Sequence, residues 1–359
     1  MPTHAVVRES NAGITPADAP RVAVFTGGTA GIGKATLQKL VAVGTEIKVY
    51  VIGRNGPTHA GFLDELRASN SKAEIVWLEG QVSLLSETRR LCDEIKSKEK
   101  SLDLLFMSAG YVPLGGRKDT SEGYDTTMAM SFWTRALLAN QLLPLLRAGA
   151  SSTSSNSTTN NNPRVISIYA AGMEKANIPL DDLDLKSKSN FGIMNWAATC
   201  ASLNTVYLDH LASDPQNAGV VFIHNHPGVV ETDIILKGWN EGSWGPTLIR
   251  WVRPVMSFFQ RFSREPPISP EESGEKSLFL ITSAMYGGKG VAVPNKDGVE
   301  EKAGGEKGKT LAGGDNGSVF VVLPRGNCEQ PKEVLEKLYV NGGKEKLVAE
   351  TEKVLKPYV

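Results

Sequence analysis

Seven short runs are almost continuous in apolar residues: RVAVFTG (21–27), EIKVYVIGR (46–54), AEIVWLEG (73–80), LDLLFMSAG (102–110), RVISIYAAG (164–172), GVVFIHNHPG (219–228) and NGSVFVVLPRG (316–326). A half-exposed strand alternates apolar and polar positions, whereas a strand covered on both faces has no such need. Segments of helical period lie between the runs, NWAATCASLNTVYLDHLA (195–212) among them. The alternation predicts an α/β fold, a doubly wound parallel sheet of about seven strands with helices on both faces.

Three stretches break the pattern. GASSTSSNSTTNNN (149–162) offers no apolar anchor and reads as a mobile surface loop. Residues 294–317 are rich in glycine and charge and read as a flexible insertion. The apolar and aromatic segment around 236–270 is expected to be a lid over a ligand cleft, with an interfacial membrane helix as the other reading. The chain thus divides into an N-terminal extension (1–20), a nucleotide-binding domain with its lid (21–293), the insertion (294–317), and a last strand with a C-terminal helix (318–359).

Composition narrows the partners. With 39 basic and 39 acidic residues in 359, the net charge is zero. Neither nucleic acid nor stable membrane insertion is therefore expected. Cys92, Cys200 and Cys328 lie far apart, as free thiols in a reducing compartment do. The first twenty residues carry no apolar or Arg-rich signal, so a cytoplasmic location is expected. His224 and His226 lack a third ligand at metal spacing, and no metal is expected.

VAVFTGGTAGIGKATLQKL (22–40) reads strand, glycine turn, helix. Gly27, Gly31 and Gly33 allow a tight turn and close approach of the backbone to a pyrophosphate. Thr29, Ala30 and Ile32 complete the loop, and the helix N-terminus offers its free N–H groups. This is the Rossmann arrangement, in which an acidic residue at the end of the second strand would accept the ribose hydroxyls of NAD. Here that strand ends Gly53, Arg54, Asn55, and a guanidinium suits a 2′-phosphate, so NADP(H) is the expected cofactor.

The loop Thr26-Gly27-x-x-x-Gly31-Ile32-Gly33 resembles that of the short-chain dehydrogenase/reductase superfamily, and the resemblance continues to about residue 235. It implies an adenine contact at Gln81 and Val82, where the family usually has Asp. It matches Ser108-Ala109-Gly110 to the family's Asn-Ala-Gly stretch, and Pro227, Gly228, Val229 and Thr232 to the segment lining the nicotinamide. FTGGTAGIG, QVSLLSE, TSEGYDTT, NQLLPLL, DDLDL and PISPEESGE look more narrowly like a group of fungal members, many associated with secondary metabolism.

The same resemblance exposes a departure. Carbonyl-reducing members carry a Tyr-x-x-x-Lys pair, a Ser and an Asn; here Trp196, Cys200, Ala170 and Ser131 stand at those places. None of the eight tyrosines has lysine four residues on. Losing a positioned acid costs about 10²–10⁴ in rate, so ordinary ketone reduction should suffer.

Three functions remain open. The first is hydride transfer to an activated acceptor such as an iminium or conjugated carbonyl, with Trp196 offering a π face and Tyr169, Asp181, Asp182 or water the proton. The second is redox-neutral cyclisation or isomerisation, and the third a nucleotide-binding pseudoenzyme. Tyr169 lies on a strand, just before the position of the missing Ser, and alternation points it away unless the strand has ended. Arg135, one turn beyond Ser131, either faces the pocket or forms a surface salt bridge. Cys200 reads as a buried small side chain or a nucleophile, and Tyr207 packs on a neighbouring helix or on a second copy in a homodimer. The expected partner is a small apolar metabolite.

Overall fold

The computed structural model describes residues 2–152, 160–237, 239, 247, 266–293, 307–324, 331–340 and 342–359. Its seven strands are β1 (Val22–Thr26), β2 (Ile47–Gly53), β3 (Ala73–Glu79), β4 (Leu104–Met107), β5 (Arg164–Ile168), β6 (Val221–Asn225) and β7 (Phe320–Val322). Each falls inside one of the apolar runs. They pair in parallel in the order β3-β2-β1-β4-β5-β6-β7. The order reverses beside β1, opening a crevice at the carboxyl ends of β1 and β4, where doubly wound sheets bind ligands.

Helices cover both faces. α1 (His4–Ala12), α2 (Gly31–Ala42) and α3 (Gly56–Ser69) are followed by α4 (Leu85–Lys98), α5 (Thr126–Met128), α6 (Thr134–Ser152) and α7 (Ile193–Ser213). Then come α8 (Ile234–Lys237), α9 (Pro270–Thr282), α10 (Lys332–Tyr339) and α11 (Gly343–Leu355). One core joins α2, α3 and α9 to the sheet, the other α4, α6, α7, α10 and α11. None of the described helices is long and apolar enough to cross a membrane.

The N-terminal extension packs on the domain, with α1 against α9 and Asn11 Nδ2 donating to the Glu275 carbonyl at 2.9 Å. Three other segments differ from expectation. Residues 153–159 lie outside the described residues, but the asparagines ending the polar tract are anchors. Asn160 donates to Asp18, Asn161 to the Ile281 carbonyl and Asn162 to the Gly287 carbonyl. Residues 294–306 of the insertion are also undescribed, whereas Thr310 and Leu311 are buried and Leu311 N–H donates to Val319 O. The C-terminal part holds two helices, α10 and α11, because Gly342 in the left-handed region breaks the run between them. Most of the predicted lid, 238 to 265, lies outside the described residues apart from 239 and 247.

Candidate active site

The glycine loop has the geometry its sequence calls for. Gly27 and Gly31 have φ of 82° and 53°. A Cβ at Gly33 would fall 2.4 Å from both the Gly27 carbonyl and Ser108 Oγ, so only glycine fits there. Ser108 joins β1 to β4 by donating its N–H and its hydroxyl to the Thr26 carbonyl. Ala30 is the N-cap of α2, with no side chain capping it and no acidic residue in the first turn. The helix therefore presents its first N–H groups and the positive end of its dipole, beside Thr29 and Ile32, to a pyrophosphate. Thr232 reaches this loop, its Cγ2 lying 3.1 Å from where a Gly31 Cβ would stand. The segment Pro227, Gly228, Val229 is pinned from the far side, since Ile268 N–H donates to Val229 O. These residues fit a dinucleotide.

At the β2 exit, Arg54 is exposed and Asn55 is left-handed at φ 59°. Gln81 turns its amide toward Ser83 Oγ at 2.9 Å, and the Val82 carbonyl accepts from Thr134 Oγ1. One residue here went unnoticed in the sequence. The Glu79 carboxylate accepts from the N–H groups of Asn55 and Gly56 and from Trp77 Nε1.

The centre around Tyr169 and Trp196 is built from α6, β5, β6 and α7. Ser131 lies in a π-helical turn, Ala129–Trp133, where one extra residue per turn breaks the α-helical ladder. Its carbonyl accepts from Asn204 Nδ2 of α7 at 2.8 Å.

Arg135 forms no surface salt bridge, since it is 4% exposed and spans the floor of the centre. Nε donates to Met130 O, Nη1 to Ser167 Oγ and Ile168 O, and Nη2 to Ala109 O, over 2.7 to 3.0 Å. All four acceptors are neutral, and burial lowers its pKa to about 10, which still leaves a cation at neutral pH.

Tyr169 does not turn away. β5 ends at Ile168, so strand phase no longer directs it. Its ring lies 5.4 Å from the Arg135 guanidinium, edge-on to Trp196 at 5.7 Å and stacked on His224 at 6.4 Å. Burial pushes the phenol well above its ordinary pKa, so it remains protonated. Trp196 is buried, one turn from Cys200. Cys200 is fully buried with Sγ 3.4 Å from Met128 Sδ, and burial raises its pKa. That setting favours the buried side-chain reading over the nucleophile, because burial opposes formation of a thiolate. Tyr207 packs edge-on to Phe132 of its own chain.

Behind Tyr169 runs a buried chain that sequence reading missed. Thr205 Oγ1 donates to Glu174 Oε1 at 2.6 Å and so accepts from His224 Nδ1 at 2.7 Å. The Nε2 of His224 is then an unprotonated acceptor. Burial lowers the His224 pKa to about 3 and raises that of Glu174. The oxygens of Ser131 and Tyr169, Trp196 Nε1 and His224 Nε2 are all buried without a well-formed hydrogen bond among the described residues.

Comparison with known proteins agrees with this geometry. The short chain dehydrogenase family model matches residues 21–172. Oxidoreductase AN1596 of Emericella nidulans is 34% identical over 330 residues, covering 92% of this chain and 90% of that protein. Oxidoreductase lepF of Aspergillus flavus is 38% identical over 288 residues, 77% of this chain and 78% of that protein. Among solved structures, the RhlG/NADP active-site complex of Pseudomonas aeruginosa superimposes with a TM-score of 0.52 at 22% identity, over 75% of this chain and 92% of that one. A 3-oxoacyl (acyl-carrier-protein) reductase of Agrobacterium tumefaciens with NADP bound gives 0.52 at 19% identity, over 78% and 91%. The family match runs from β1 through the glycine turn past the end of β5, and the fungal relatives extend the likeness over most of the chain, so this protein belongs to the short chain dehydrogenase family.

Proposed function

We propose that this oxidoreductase binds NADP(H) and acts on a small apolar molecule bearing an activated acceptor, such as an iminium or a conjugated carbonyl. One observation carries the reading: the hydroxyls of Ser131 and Tyr169 and the indole N–H of Trp196 are buried in the same centre as a cationic Arg135, and none makes a well-formed hydrogen bond among the described residues. Buried donors matched so poorly are costly, and a substrate oxygen or π system would satisfy them. The NADP bound in the two structural neighbours and the oxidoreductase names of the relatives support the cofactor.

The glycine loop and the α2 N-terminus would hold the pyrophosphate and Arg54 a 2′-phosphate; bound there, the cofactor would supply the hydride. Tyr169 presents its O–H to the atom that gains the electron pair, and Arg135 over the ring face steadies negative charge on the phenol oxygen. A phenol this strongly buried is a weaker acid than one beside a lysine, which is why an acceptor needing little protonation suits the centre. Ile193 and Met194, which start α7 just ahead of Trp196, and Val229 and Ile234, on either side of Thr232, are exposed apolar side chains as an apolar ligand requires. The buried free thiols Cys92 and Cys200 suit a reducing compartment such as the cytosol.

The test follows NADPH absorbance with conjugated ketones and iminium ions against simple ketones. Consumption with the activated acceptors is expected, and Tyr169→Phe should lower kcat by about 10–10³-fold. Product formed with the cofactor unchanged would replace this reading by redox-neutral cyclisation. Absence of dinucleotide binding by calorimetry would overturn it altogether.

A further inference from the structure

The turn that leaves β2 carries two opposite charges. Gly53 stands in register with Glu79 at the end of the neighbouring strand, so the two chain exits lie side by side. Beyond Gly53 the chain passes through Arg54 and the left-handed Asn55 into α3. One carboxylate oxygen of Glu79 accepts from Asn55 N–H, and the other from Gly56 N–H at 2.9 Å and Trp77 Nε1 at 2.8 Å. The first amides of α3 are thus taken by a side chain of this chain.

The arrangement is packed into place. The Trp77 indole underlies the turn so closely that a Cβ on Gly53 would fall 2.4 Å from it, and one on Gly56 2.7 Å. The two glycines and the indole therefore fix where the carboxylate sits. Hydrogen bonds from Trp77 and from the two amides hold its pKa down, so it is charged at neutral pH. Arg54, between these groups in sequence, makes no ion pair among the described residues.

We propose that Glu79 is a cofactor-selectivity residue: its carboxylate, held on the Asn55 and Gly56 amides, opposes Arg54, so the site accepts NADPH and NADH with little discrimination. This rests on the dinucleotide reading above. A 2′-phosphate drawn to Arg54 finds the neighbouring N–H donors already spent and a negative charge in the same turn. The 2′-hydroxyl of NADH carries no charge to be repelled. Selectivity is then set by two residues, Arg54 just after β2 and Glu79 at the end of β3.

The experiment measures dissociation constants of NADPH and NADH for the full chain by nicotinamide fluorescence, in wild type, Glu79→Gln and Arg54→Gln. Wild type should bind the two within about fivefold of each other. A unit charge a few ångströms from a phosphate in a solvated turn changes affinity by about tenfold. E79Q should therefore tighten NADPH by that factor and leave NADH within about twofold, and R54Q should weaken NADPH alone. Should E79Q misfold, Glu79→Ser, which also removes the charge, serves in its place. Binding of both nucleotides with an unchanged ratio in the Glu79 variants overturns the inference and leaves the dinucleotide reading standing. Failure of wild type to bind either nucleotide overturns that reading, and the inference with it.

Discussion

At the scale of single residues, Arg135 holds the centre together without a counter-ion. Four neutral oxygens, contributed by α6's approach, β5 and the β4 exit, share one guanidinium. Arg135→Met would strand them in the interior, at a cost of at least about 3 kcal/mol. Arg135→Lys keeps the charge and should recover part of that loss, as urea denaturation of both variants would register. Helical spacing placed Arg135 one turn from Ser131 but left its depth open, because a period gives direction around the axis and not how much protein covers that direction. Tyr169 was open for a related reason. Alternation applies while a strand lasts, and whether β5 reached residue 169 depended on its neighbours.

The elements divide into those written locally and those imposed by contact. The glycine turn before α2 is local: three glycines at fixed spacing answer three steric demands, and Gly33 answers the hardest. Gly33→Ala should weaken NADPH binding by about tenfold or more and destabilise the fold by about 1–3 kcal/mol, since a carbonyl and a serine must yield. Calorimetric titration alongside thermal melting would detect both, and Gly44→Ala, at an open turn with nothing within 4 Å, is the control for binding. The π-turn around Ser131 is imposed. Nothing in MAMSFWTRALL announces an extra residue per turn, and the Ser131 carbonyl is answered by Asn204 from a helix 73 positions away.

At the scale of the whole molecule, the buried His224, Thr205 and Glu174 link β6, α7 and the loop after β5, and they make stability depend on pH. Burial takes His224 from 6.5 to about 3. Between those values the unfolded chain accepts a proton that the folded chain refuses, so stability falls as pH drops through that window, by up to about 1.4 kcal/mol per unit. Glu174 works the other way. Its raised pKa favours the folded state in acid, and that contribution is lost as pH rises through its folded value. His224→Gln leaves Glu174 alone, so the loss of stability between about pH 6.5 and 4.5 should shrink or reverse. Urea midpoints across that range measure it, and a slope equal to wild type would show that His224 is not the group responsible.

The amino-acid order alone determined the seven strands, their parallel topology and the dinucleotide loop, because each rests on a short-range rule: apolar runs for strands buried on both faces, and glycine where a Cβ cannot fit. It also showed that Tyr-x-x-x-Lys is missing, since a motif's absence needs no structure. Folding alone decided what gathers around Tyr169. Arg135, Tyr169, Trp196 and His224 come from four elements far apart in the chain, and Glu79 meets Asn55 only because β2 and β3 end level. Burial, charge and hydrogen-bond partnership at such sites depend on which segments the packing brings together, and no local pattern encodes that.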